Sequence, residues 1–475
     1  MSKKKLPDIE KDFSKWYQDV VYQAELVDQS PVRGCFVIRP YGTAIWENIK
    51  SALDKRIKET GHKNALFPLL IPKAFLEKEA EHVEGFSPEL AVVTHAGGKD
   101  LDEPLVVRPT SETMIHFMFA KWIKSWRDLP MKINQWANVV RWEMRPRAFL
   151  RTSEFFWQEG HTAHETVQEA EQEALLMLQE YVNLAQDYLA IPVIAGLKSD
   201  SEKFPGADKT YTFEALMPDG KAVQMGTSHM ISQNFAKAFG MSYQDKEGKL
   251  AYPYLTSWGA TTRLVGAMVM AHGDQKGLVV PPKIAPTQVV IIPILKKGAD
   301  NGAVLAVAHQ VKNKLEATQC SVLVDEDETK SPGAKFFKWE LRGIPVRIEI
   351  GPRDIEQGKA VVADRLGEVK EAIALDGIDI FVVELLEAMQ NKMFERAKAR
   401  VQAQTFKKEK LVDFGKDLAA QGGFYRTGWC RNPECEKQLK QYQAMTRCLL
   451  KEKTFEKCFH CDQDSVSDVL VAKSY

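Results

Sequence analysis

The sequence predicts an α+β protein of about three domains, and three observations support this fold class. At 475 residues the chain is too long for a single hydrophobic core. Residues 1–280 contain short strand-like stretches, bounded by Gly and Pro, together with two long helical patterns. Five of the seven cysteines lie after residue 429. This clustering indicates a separate small domain at the C-terminal end.

The composition is that of a folded protein and gives no global signal for nucleic acid. Hydrophobic residues make up 44% of the chain and charged residues 27%. Basic and acidic residues number 64 each, so any affinity for RNA must come from local charge. The chain has neither an apolar run of membrane-spanning length nor a secretory signal pattern, and we expect a cytoplasmic location. An odd number of cysteines argues against a disulfide framework.

The first domain is predicted over residues 1–283. An amphipathic helix over 43–58 leads into an apolar, strand-like run over 64–72, which Pro68 interrupts. A second long helix is predicted over 167–189, rich in Glu, Gln, Ala and Leu. Prolines then mark the beginning of a linker, because they resist both helices and central strands.

Three further segments follow this linker. Alternating strand and helix patterns predict an α/β domain over 284–388. The polar, basic stretch over 389–410 is predicted to be helical, and it suits a solvated connector or an RNA-facing helix, with the connector favoured. The last domain is predicted over 411–475.

A cluster of arginines within residues 138–161 is the densest candidate site. Four arginines lie between positions 141 and 151, beside aromatic residues and carboxylates. The planar guanidinium group binds phosphate oxygens in pairs, and aromatic rings stack on purines. On a strand, Arg141 and Glu143 would point to the same face. A surface hairpin held by salt bridges is the alternative interpretation.

The order Arg141, Glu143, a loop, Arg151, and then Phe155 and Phe156 resembles motif 2 of the class II aminoacyl-tRNA synthetases. The resemblance implies an antiparallel-sheet catalytic domain. It places Arg141 at the α-phosphate of ATP and Arg151 at the γ-phosphate, and Glu143 with the loop at the adenine and triphosphate. Such chemistry depends on positioning and on neutralising charge, which suits arginine.

Two other segments are similar to the remaining class II motifs. Residues 254–265 supply Gly259 and Arg263 where motif 3 requires a close backbone approach and a second phosphate ligand. Residues 43–72, with Pro68, resemble motif 1, which forms the dimer interface in this class. The three motifs occur in the expected order, so the resemblance implies a homodimer.

The amino acid is indicated by segments 107–113, 157–161 and 224–233, which closely resemble the prolyl-tRNA synthetases. The resemblance implies that ATP, with Mg²⁺, activates L-proline for transfer to tRNA(Pro), with Arg141 and Arg263 as catalytic residues. The residues implied at the proline are Thr110, Glu112, Arg141, Trp157, His161, Phe204 and His229. Those implied at ATP are Arg141, Glu143, Arg151, Thr152, Phe155, Gln224, Thr227, Thr261 and Arg263.

This assignment suits the chemistry of proline. A secondary ammonium group needs a carboxylate and a hydroxyl, and a pyrrolidine ring needs aromatic faces. An isolated histidine is usually a core residue, but His161 and His229 both lie inside matched segments. The short interval between motifs 2 and 3 has no room for an editing insertion, as in the archaeal and eukaryotic-like form. We therefore expect some activation of cysteine and alanine, because size selection discriminates poorly against smaller ligands.

Two close pairs of cysteines predict a structural Zn²⁺ site in the C-terminal domain, because four thiolates close a tetrahedral coordination sphere. These cysteines are Cys430, Cys435, Cys458 and Cys461. Cys448 and His460 lie nearby and are alternative ligands, and unpaired buried thiols are the alternative interpretation. The resemblance also implies that the last residue, Tyr475, folds back towards the active site.

The α/β domain over 284–388 resembles the anticodon-binding domain of several class II enzymes. Residues 330–365 combine basic side chains with interleaved aromatic rings, which suits unstacked RNA bases. The residues implied to read the anticodon are Phe336, Glu340, Arg347 and Arg353. An ordinary solvated face is the alternative for each of them.

Three rival interpretations remain open. The first is a synthetase for threonine or serine, although the pocket segments lack the Cys/His set that holds a catalytic zinc ion in threonyl enzymes. The second is an inactive class II paralogue with a regulatory or RNA-binding role, which the retained motif arginines disfavour. The third is a zinc-dependent nucleic-acid-binding module with an unrelated large domain, which leaves the motifs unexplained.

Overall fold

The computed structural model describes residues 5–76, 90–296 and 300–475. The helices of the N-terminal part are α1 Phe13–Gln23, α2 Pro40–Glu59, α3 Glu112–Trp122, α4 Val167–Asn183, α5 Asn234–Ala238 and α6 Arg263–His272. Its strands are β1 Val27–Gln29, β2 Phe36–Ile38, β3 Lys63–Asn64, β4 Leu70–Pro72, β5 Ala91–Ala96, β6 Lys99–Val107, β7 Met131–Val140, β8 Glu154–His164, β9 Ile194–Leu197, β10 Lys209–Leu216, β11 Ala222–Ser232, β12 Tyr243–Gln244, β13 Leu250–Ala251 and β14 Tyr254–Thr261.

Six antiparallel strands form the centre of the largest sheet, in the order β9-β10-β11-β14-β8-β7. The short strand β3 extends the sheet beyond β7 in parallel. Helix α4 lies across one face of this sheet, where Tyr181 stacks on Phe213 with ring centroids 5.4 Å apart. The candidate functional site lies on the opposite face of the central strands.

Both long helices of this part form close to the predicted positions. Helix α2 has Pro40 in its first turn, where proline costs no hydrogen bond. Helix α4 begins after Thr166, which forms a capping box with Glu169, and it continues into a π-helical turn at Leu184–Tyr188. The apolar run over 64–72 divides into β3 and β4 on either side of Pro68, which cannot donate to a ladder.

The middle of the chain folds as an α/β unit. Its strands are β15 Val289–Pro293, β16 Val322–Val324, β17 Val346–Ile350, β18 Lys359–Asp364 and β19 Lys370–Ala374. Its helices are α7 Gly302–Ala317, α8 Pro332–Leu341, α9 Pro352–Glu356 and α10 Ile378–Ala403. The strand order is β16-β15-β17-β18-β19, in which the first three strands are parallel and the last two antiparallel to their neighbours.

Helix α10 differs from the predicted helical connector over 389–410. It begins at Ile378 because Ile378, Val382 and Leu386 are buried in the core of the α/β unit. It ends at Ala403, and the chain then forms strand β20 Thr405–Lys407. The predicted boundary between 388 and 389 therefore falls inside one continuous helix. Among the described helices, none is long and apolar enough to cross a membrane.

The C-terminal part extends the largest sheet. Its other elements are α11 Leu411–Gln421, β21 Phe424–Trp429, α12 Pro433–Lys437, β22 Met445–Leu449 and β23 Ser467–Ala472. The strand order β20-β21-β23-β22 meets β9 through the pair Leu449 and Leu197, so the sheet has eleven strands within the described residues. A side chain at Gly196 would lie 2.3 Å from the carbonyl oxygen of Leu449, so this close approach requires glycine.

Candidate active site

A cavity of about 500 Å³ opens on the free face of the central strands. It lies against strands β8, β10, β11 and β14 and beside the hairpin that joins β7 to β8. All the side chains implied at proline or ATP line it, namely Thr110, Glu112, Arg141, Glu143, Arg151, Thr152, Phe155, Trp157, His161, Phe204, Gln224, Thr227, His229, Thr261 and Arg263. The structure thus brings together residues that span more than half of the N-terminal part.

Main-chain carbonyl groups hold the two central arginines of the cavity. Arg141 donates from Nε to the carbonyl oxygen of Pro109 over 2.9 Å. Arg263 donates from Nε to Leu150 over 3.2 Å and from a terminal nitrogen to Gln224 over 3.1 Å. Burial lowers the pKa of Arg263 to about 10, so the group remains charged at neutral pH. Because carbonyls orient both groups, their charge is available for an anionic ligand.

Arg141 also lies between aromatic rings. Its guanidinium carbon is 5.6 Å from the ring centroid of Phe155 and 5.3 Å from that of Trp157. The two rings meet edge to face with centroids 6.0 Å apart. The side chain of Arg151 is mostly exposed, and its Nε lies 3.5 Å from the Glu143 carboxylate. A carbonyl group and two rings therefore orient Arg141, whereas Arg151 is held by an ion pair at the open side.

Two carboxylates and an imidazole form the buried end of the cavity. Ligand atoms of Glu112, Glu159 and His161 lie within 4.8 Å of one another. Ser111 donates to Glu159 over 2.5 Å, and Gln135 donates to it over 2.8 Å. A group of this kind can hold either a divalent cation or an organic ammonium group.

Burial and mutual attraction determine the charges of these three groups. Burial raises the pKa of Glu112. Burial alone would lower the pKa of His161, but its hydrogen bond to Glu159 and the charges of both carboxylates raise it overall. The pKa of Glu159 is lowered because the bonds from His161, Ser111 and Gln135 outweigh its burial. The bond between His161 and Glu159 thus favours the charged forms of both, whereas burial of Glu112 favours its neutral form until a cation lies beside it.

A neutral histidine and an aromatic ring form one wall. Burial lowers the pKa of His229 to about 3. Its two ring nitrogens lie 3.0 Å from Oγ1 of Thr210 and 2.9 Å from Oγ1 of Thr227. The ring of Phe204 lies against it with centroids 4.6 Å apart. This wall is flat, uncharged and fixed by hydrogen bonds, so it suits a small saturated ring.

Among the described residues, two buried charged side chains that line the cavity were missed by the sequence analysis. Glu159 lies on β8 between Trp157 and His161, and alternate residues of a strand share a face, so the pattern could have revealed it. Lys198 follows β9 and is almost fully buried. No local pattern distinguishes it from any surface lysine.

The four predicted zinc ligands come together in the C-terminal part. Sγ of Cys430 lies 3.8 Å from Sγ of Cys435 and 3.7 Å from Sγ of Cys461. Cys458 completes the group, with all four sulfur atoms within 4.8 Å of one another. Four thiolates at about 2.3 Å from a tetrahedral Zn²⁺ ion would lie about 3.8 Å apart, so the residues fit this metal.

The alternative ligands lie elsewhere. Cys448 is fully buried on β22 beside Gly196, and His460 is exposed. Among the described residues, neither belongs to the four-sulfur group.

The residues implied at the anticodon are only partly brought together. The guanidinium of Arg347 lies over the ring of Phe336, 4.4 Å from its centroid, and it also pairs with Glu349. Glu340 instead pairs with Lys276 of the N-terminal part over 3.0 Å. Arg353 is exposed on the short helix α9.

The last residue lies beside the cavity, as the resemblance implies. Tyr475 donates from its hydroxyl to Asp219 over 2.6 Å, and the cations of Lys221 and Arg147 lie near its ring. It lines a neighbouring cavity of about 480 Å³, which shares Arg151 and other residues with the first.

Three family profiles match the chain in succession. The tRNA synthetase class II core domain (G, H, P, S and T) matches residues 93–272, and the anticodon binding domain matches residues 288–385. The C-terminal domain of prolyl-tRNA synthetase matches residues 411–475. Fold and site together define a class II aminoacyl-tRNA synthetase, and the predicted fold class is confirmed.

Full-length relatives make the assignment more specific. A proline–tRNA ligase 2 of Clostridioides difficile is 49% identical over 470 residues, which is 98% of this chain and 97% of the relative. The proline–tRNA ligase of Acetoanaerobium sticklandii is 50% identical over 475 residues, which is 99% of this chain and 98% of the relative. A crystal structure of prolyl-tRNA synthetase from Cryptosporidium parvum with L-proline and AMP superposes with a TM-score of 0.92 at 39% identity, covering 98% of each chain.

The chain belongs to the prolyl-tRNA synthetase family. It is a ligase that attaches proline to tRNA in an ATP-dependent reaction.

Proposed function

We propose that the cavity forms prolyl adenylate from L-proline and ATP, and that the prolyl group then passes to the terminal ribose of tRNA(Pro). One observation carries this proposal. Two carbonyl-held guanidinium groups and a buried carboxylate line the same cavity of about 500 Å³. These are the charges that an amino acid and a triphosphate require, namely a carboxylate for the ammonium group and guanidinium groups for the anions.

Proline would occupy the buried end. Its ammonium group would bind Glu112, which already accepts a hydrogen bond from Thr110. Its carboxylate would bind Arg141, and its ring would lie against His229 and Phe204. Trp157 Nε1 and His161 Nδ1 are buried and have no hydrogen-bond partner among the described residues. Unpaired polar atoms of this kind are typical of a ligand site.

ATP would occupy the open end. Arg141 and Arg263 would stabilise the charge that develops at the α-phosphate, and Arg151 would bind the γ-phosphate. Phe155 would stack on adenine, near Thr152. Mg²⁺ bound with ATP supplies further neutralisation of phosphate charge. Because the proline carboxylate is itself the nucleophile, the reaction needs no general base, and proximity and electrostatics account for most of the rate.

The same pocket would admit smaller amino acids. Its wall of His229 and Phe204 offers contact to a ring but no steric barrier to cysteine or alanine, and each missing methylene costs such a ligand only about 1–3 kcal/mol. We therefore expect both to support slow ATP–pyrophosphate exchange. An absence of exchange at saturating cysteine and alanine would contradict this part of the proposal.

Exposed leucines suggest a surface for a second copy of the chain. Leu66, Leu69 and Leu70 are exposed beside the edge strand β3, in the segment that resembles motif 1, and a second copy of the chain would cover them in a homodimer.

The Phe336 and Arg347 pair would stack on an anticodon base. Zn²⁺ in the four-cysteine group would stabilise the C-terminal part. The enzyme would work in the cytoplasm, with its tRNA.

The proposed orientation of proline is tested by substitution of Glu112. A sulfamoyl analogue of prolyl adenylate, titrated calorimetrically, should bind the Glu112→Gln variant about 100-fold more weakly, because a buried charged partner is lost. Glu395→Gln, on the exposed face of α10, is the matched control and should bind like the wild type. Equal affinity for Glu112→Gln and wild type would contradict the proposed orientation of proline.

A further inference from the structure

The 198–204 segment, which follows β9, brings the side chains of Lys198 and Phe204 to the cavity. Phe204 lies against His229 with ring centroids 4.6 Å apart, and its backbone N–H donates to Oγ1 of Thr210 over 2.8 Å. The central sheet therefore holds one end of the segment. A carboxylate from the C-terminal part of the chain holds the other end.

That carboxylate belongs to Glu436, which is buried and accepts three hydrogen bonds. Oγ of Ser199 donates to Oε1 over 2.7 Å, and Oγ of Ser201 donates to Oε2 over 2.6 Å. Thr446 on β22 also donates to Oε1. One carboxylate thus fixes two residues of the 198–204 segment to the C-terminal part.

Ser199 is also the corner of the turn that leads to Phe204. Its carbonyl oxygen accepts from the backbone N–H of Glu202 over 3.1 Å and from that of Lys203 over 2.9 Å. A displacement of Ser199 would therefore move the turn and the ring of Phe204 directly after it. Hydrogen bonds to a carboxylate are stronger than hydrogen bonds between neutral groups, so Glu436 fixes the position of Ser199.

A second contact also joins the C-terminal part to the region around the 198–204 segment. Arg447 on β22 donates to the fully buried Glu214 of β10 over 2.6 and 3.0 Å. Nζ of Lys198 lies 3.6 Å from the other oxygen of Glu214. Glu436 itself follows Cys435 directly in helix α12. The C-terminal part is therefore bonded both to the 198–204 segment and to the strand beneath it.

We propose that Glu436 is a positioning residue for the amino-acid pocket, and that it acts by bonding Ser199 and Ser201 so that Phe204 is held against the proline ring. This proposal rests on the assignment of Phe204 to the proline pocket. A loop that is fixed before the ligand arrives loses less conformational entropy on binding. Removal of the carboxylate should weaken the binding of proline and spare that of ATP, since the side chains assigned to ATP lie on central strands, in the motif 2 hairpin and at the start of helix α6.

The test is steady-state ATP–pyrophosphate exchange by the full-length Glu436→Ala variant. The KM for proline should rise about tenfold, because small displacements of a positioning group are costly. The KM for ATP should stay within about twofold, and the preference for proline over alanine should fall, because alanine has no ring to contact Phe204. An unchanged KM for proline, or an equal rise in both KM values, would overturn the proposal.

Glu434→Gln is the matched control. Glu434 lies on the same helix, but its carboxylate is exposed and pairs with Lys437 over 2.6 Å. This variant should keep both KM values and the zinc content of the wild type. A rise in the KM for proline equal to that of Glu436→Ala would mean that any change in this helix has the same effect, and the specific role of Glu436 would be refuted.

The serine side of the contact supplies an independent variant. The double substitution Ser199→Ala with Ser201→Ala should reproduce the rise in the KM for proline. Adding Glu436→Ala to it should cause no further rise, because the serine substitutions already remove the two hydrogen bonds through which Glu436 would hold the 198–204 segment. Additive effects would place the action of Glu436 elsewhere and overturn the proposal.

Phe204→Ala separates this proposal from the assignment on which it rests. If Phe204→Ala leaves the KM for proline unchanged, the assignment of Phe204 to the pocket fails, and the role of Glu436 fails with it. If Phe204→Ala raises that KM and Glu436→Ala does not, the pocket assignment holds and only the positioning role is overturned.

Discussion

The carboxylate of Glu159 lies 3.2 Å from Nε2 of His161, and both side chains are almost completely buried. Ser111 and Gln135 donate to the same carboxylate, so its position is fixed from three directions. The hydrogen bond raises the pKa of His161 and lowers that of Glu159, so each group favours the charged form of the other. Glu159 thereby sets both the orientation and the charge of the histidine that faces the proline pocket.

Glu159→Gln should therefore alter how proline activation depends on pH. In this variant burial is opposed by Glu112 alone, so the pKa of His161 would fall below its wild-type value and the imidazole would lose its proton at lower pH. The alkaline limb of the kcat/KM profile for proline should move to lower pH, and the KM for proline at neutral pH should rise about tenfold. Glu180→Gln, which removes a carboxylate paired with Arg56 outside the cavity, should keep the wild-type profile. The same profile in Glu159→Gln as in the wild type would contradict this role of Glu159.

Arg141→Lys keeps the positive charge but removes the planar group that meets two oxygens at once. Single-turnover formation of the adenylate should slow about 100- to 1,000-fold, since one well-placed donor in a transition state contributes that much. Thermal unfolding should change little, because the side chain lies in an open cavity. Wild-type turnover by Arg141→Lys would show that charge alone suffices.

Binding of Zn²⁺ by the C-terminal part should require Cys458. Cys458→Ser should lose bound metal and unfold at a lower temperature, because the metal contributes directly to folding in sites of this kind. Metal content is measured by elemental analysis of the purified protein. Cys448→Ala is the control, since Cys448 is buried outside the four-sulfur group and its loss should leave the metal in place. Retention of zinc by Cys458→Ser would contradict the assigned ligand set.

Acid should destabilise the protein through its buried histidines. Burial lowers the pKa of His164 and of His272 to about 4. The unfolded chain binds these protons near pH 6.5, so the stability that the neutral forms contribute is present above about pH 6.5 and is lost as the pH falls towards 4. Each histidine should cost about 1 kcal/mol per pH unit within this window.

The measurement is the unfolding temperature at several pH values between about 7 and 5. His272→Gln keeps a donor for the carbonyl of Leu189 but cannot take up a proton, so its unfolding temperature should fall less steeply with acid. An equally steep fall in the variant would remove His272 from the explanation.

The fold class and the lining of the cavity could be predicted from sequence because their signals are local. Arg141, Glu143 and Arg151 belong to one hairpin, and Arg263 begins a helix directly after a strand. Strand periodicity would also have revealed Glu159, which shares a face with Trp157. The four clustered cysteines form two close pairs along the chain, and this spacing predicted that they would come together.

Contacts between distant parts of the chain leave no local pattern in the sequence. Glu436 and Ser199 are 237 positions apart, and Arg447 and Glu214 are 233 apart. Nothing near Leu449 indicates that its strand pairs with Leu197 and continues the central sheet. A buried charge in a single sequence looks like a surface charge until its partner is known. For this reason the C-terminal part was predicted as a separate domain, and its bonds to the pocket were not foreseen.

The most direct test of the account is ATP–pyrophosphate exchange by the purified protein with each standard amino acid in turn. We expect the highest kcat/KM for proline, with slower exchange for cysteine and alanine and none for the remaining amino acids. Exchange that depends on threonine or serine, or the absence of any exchange with proline, would contradict it.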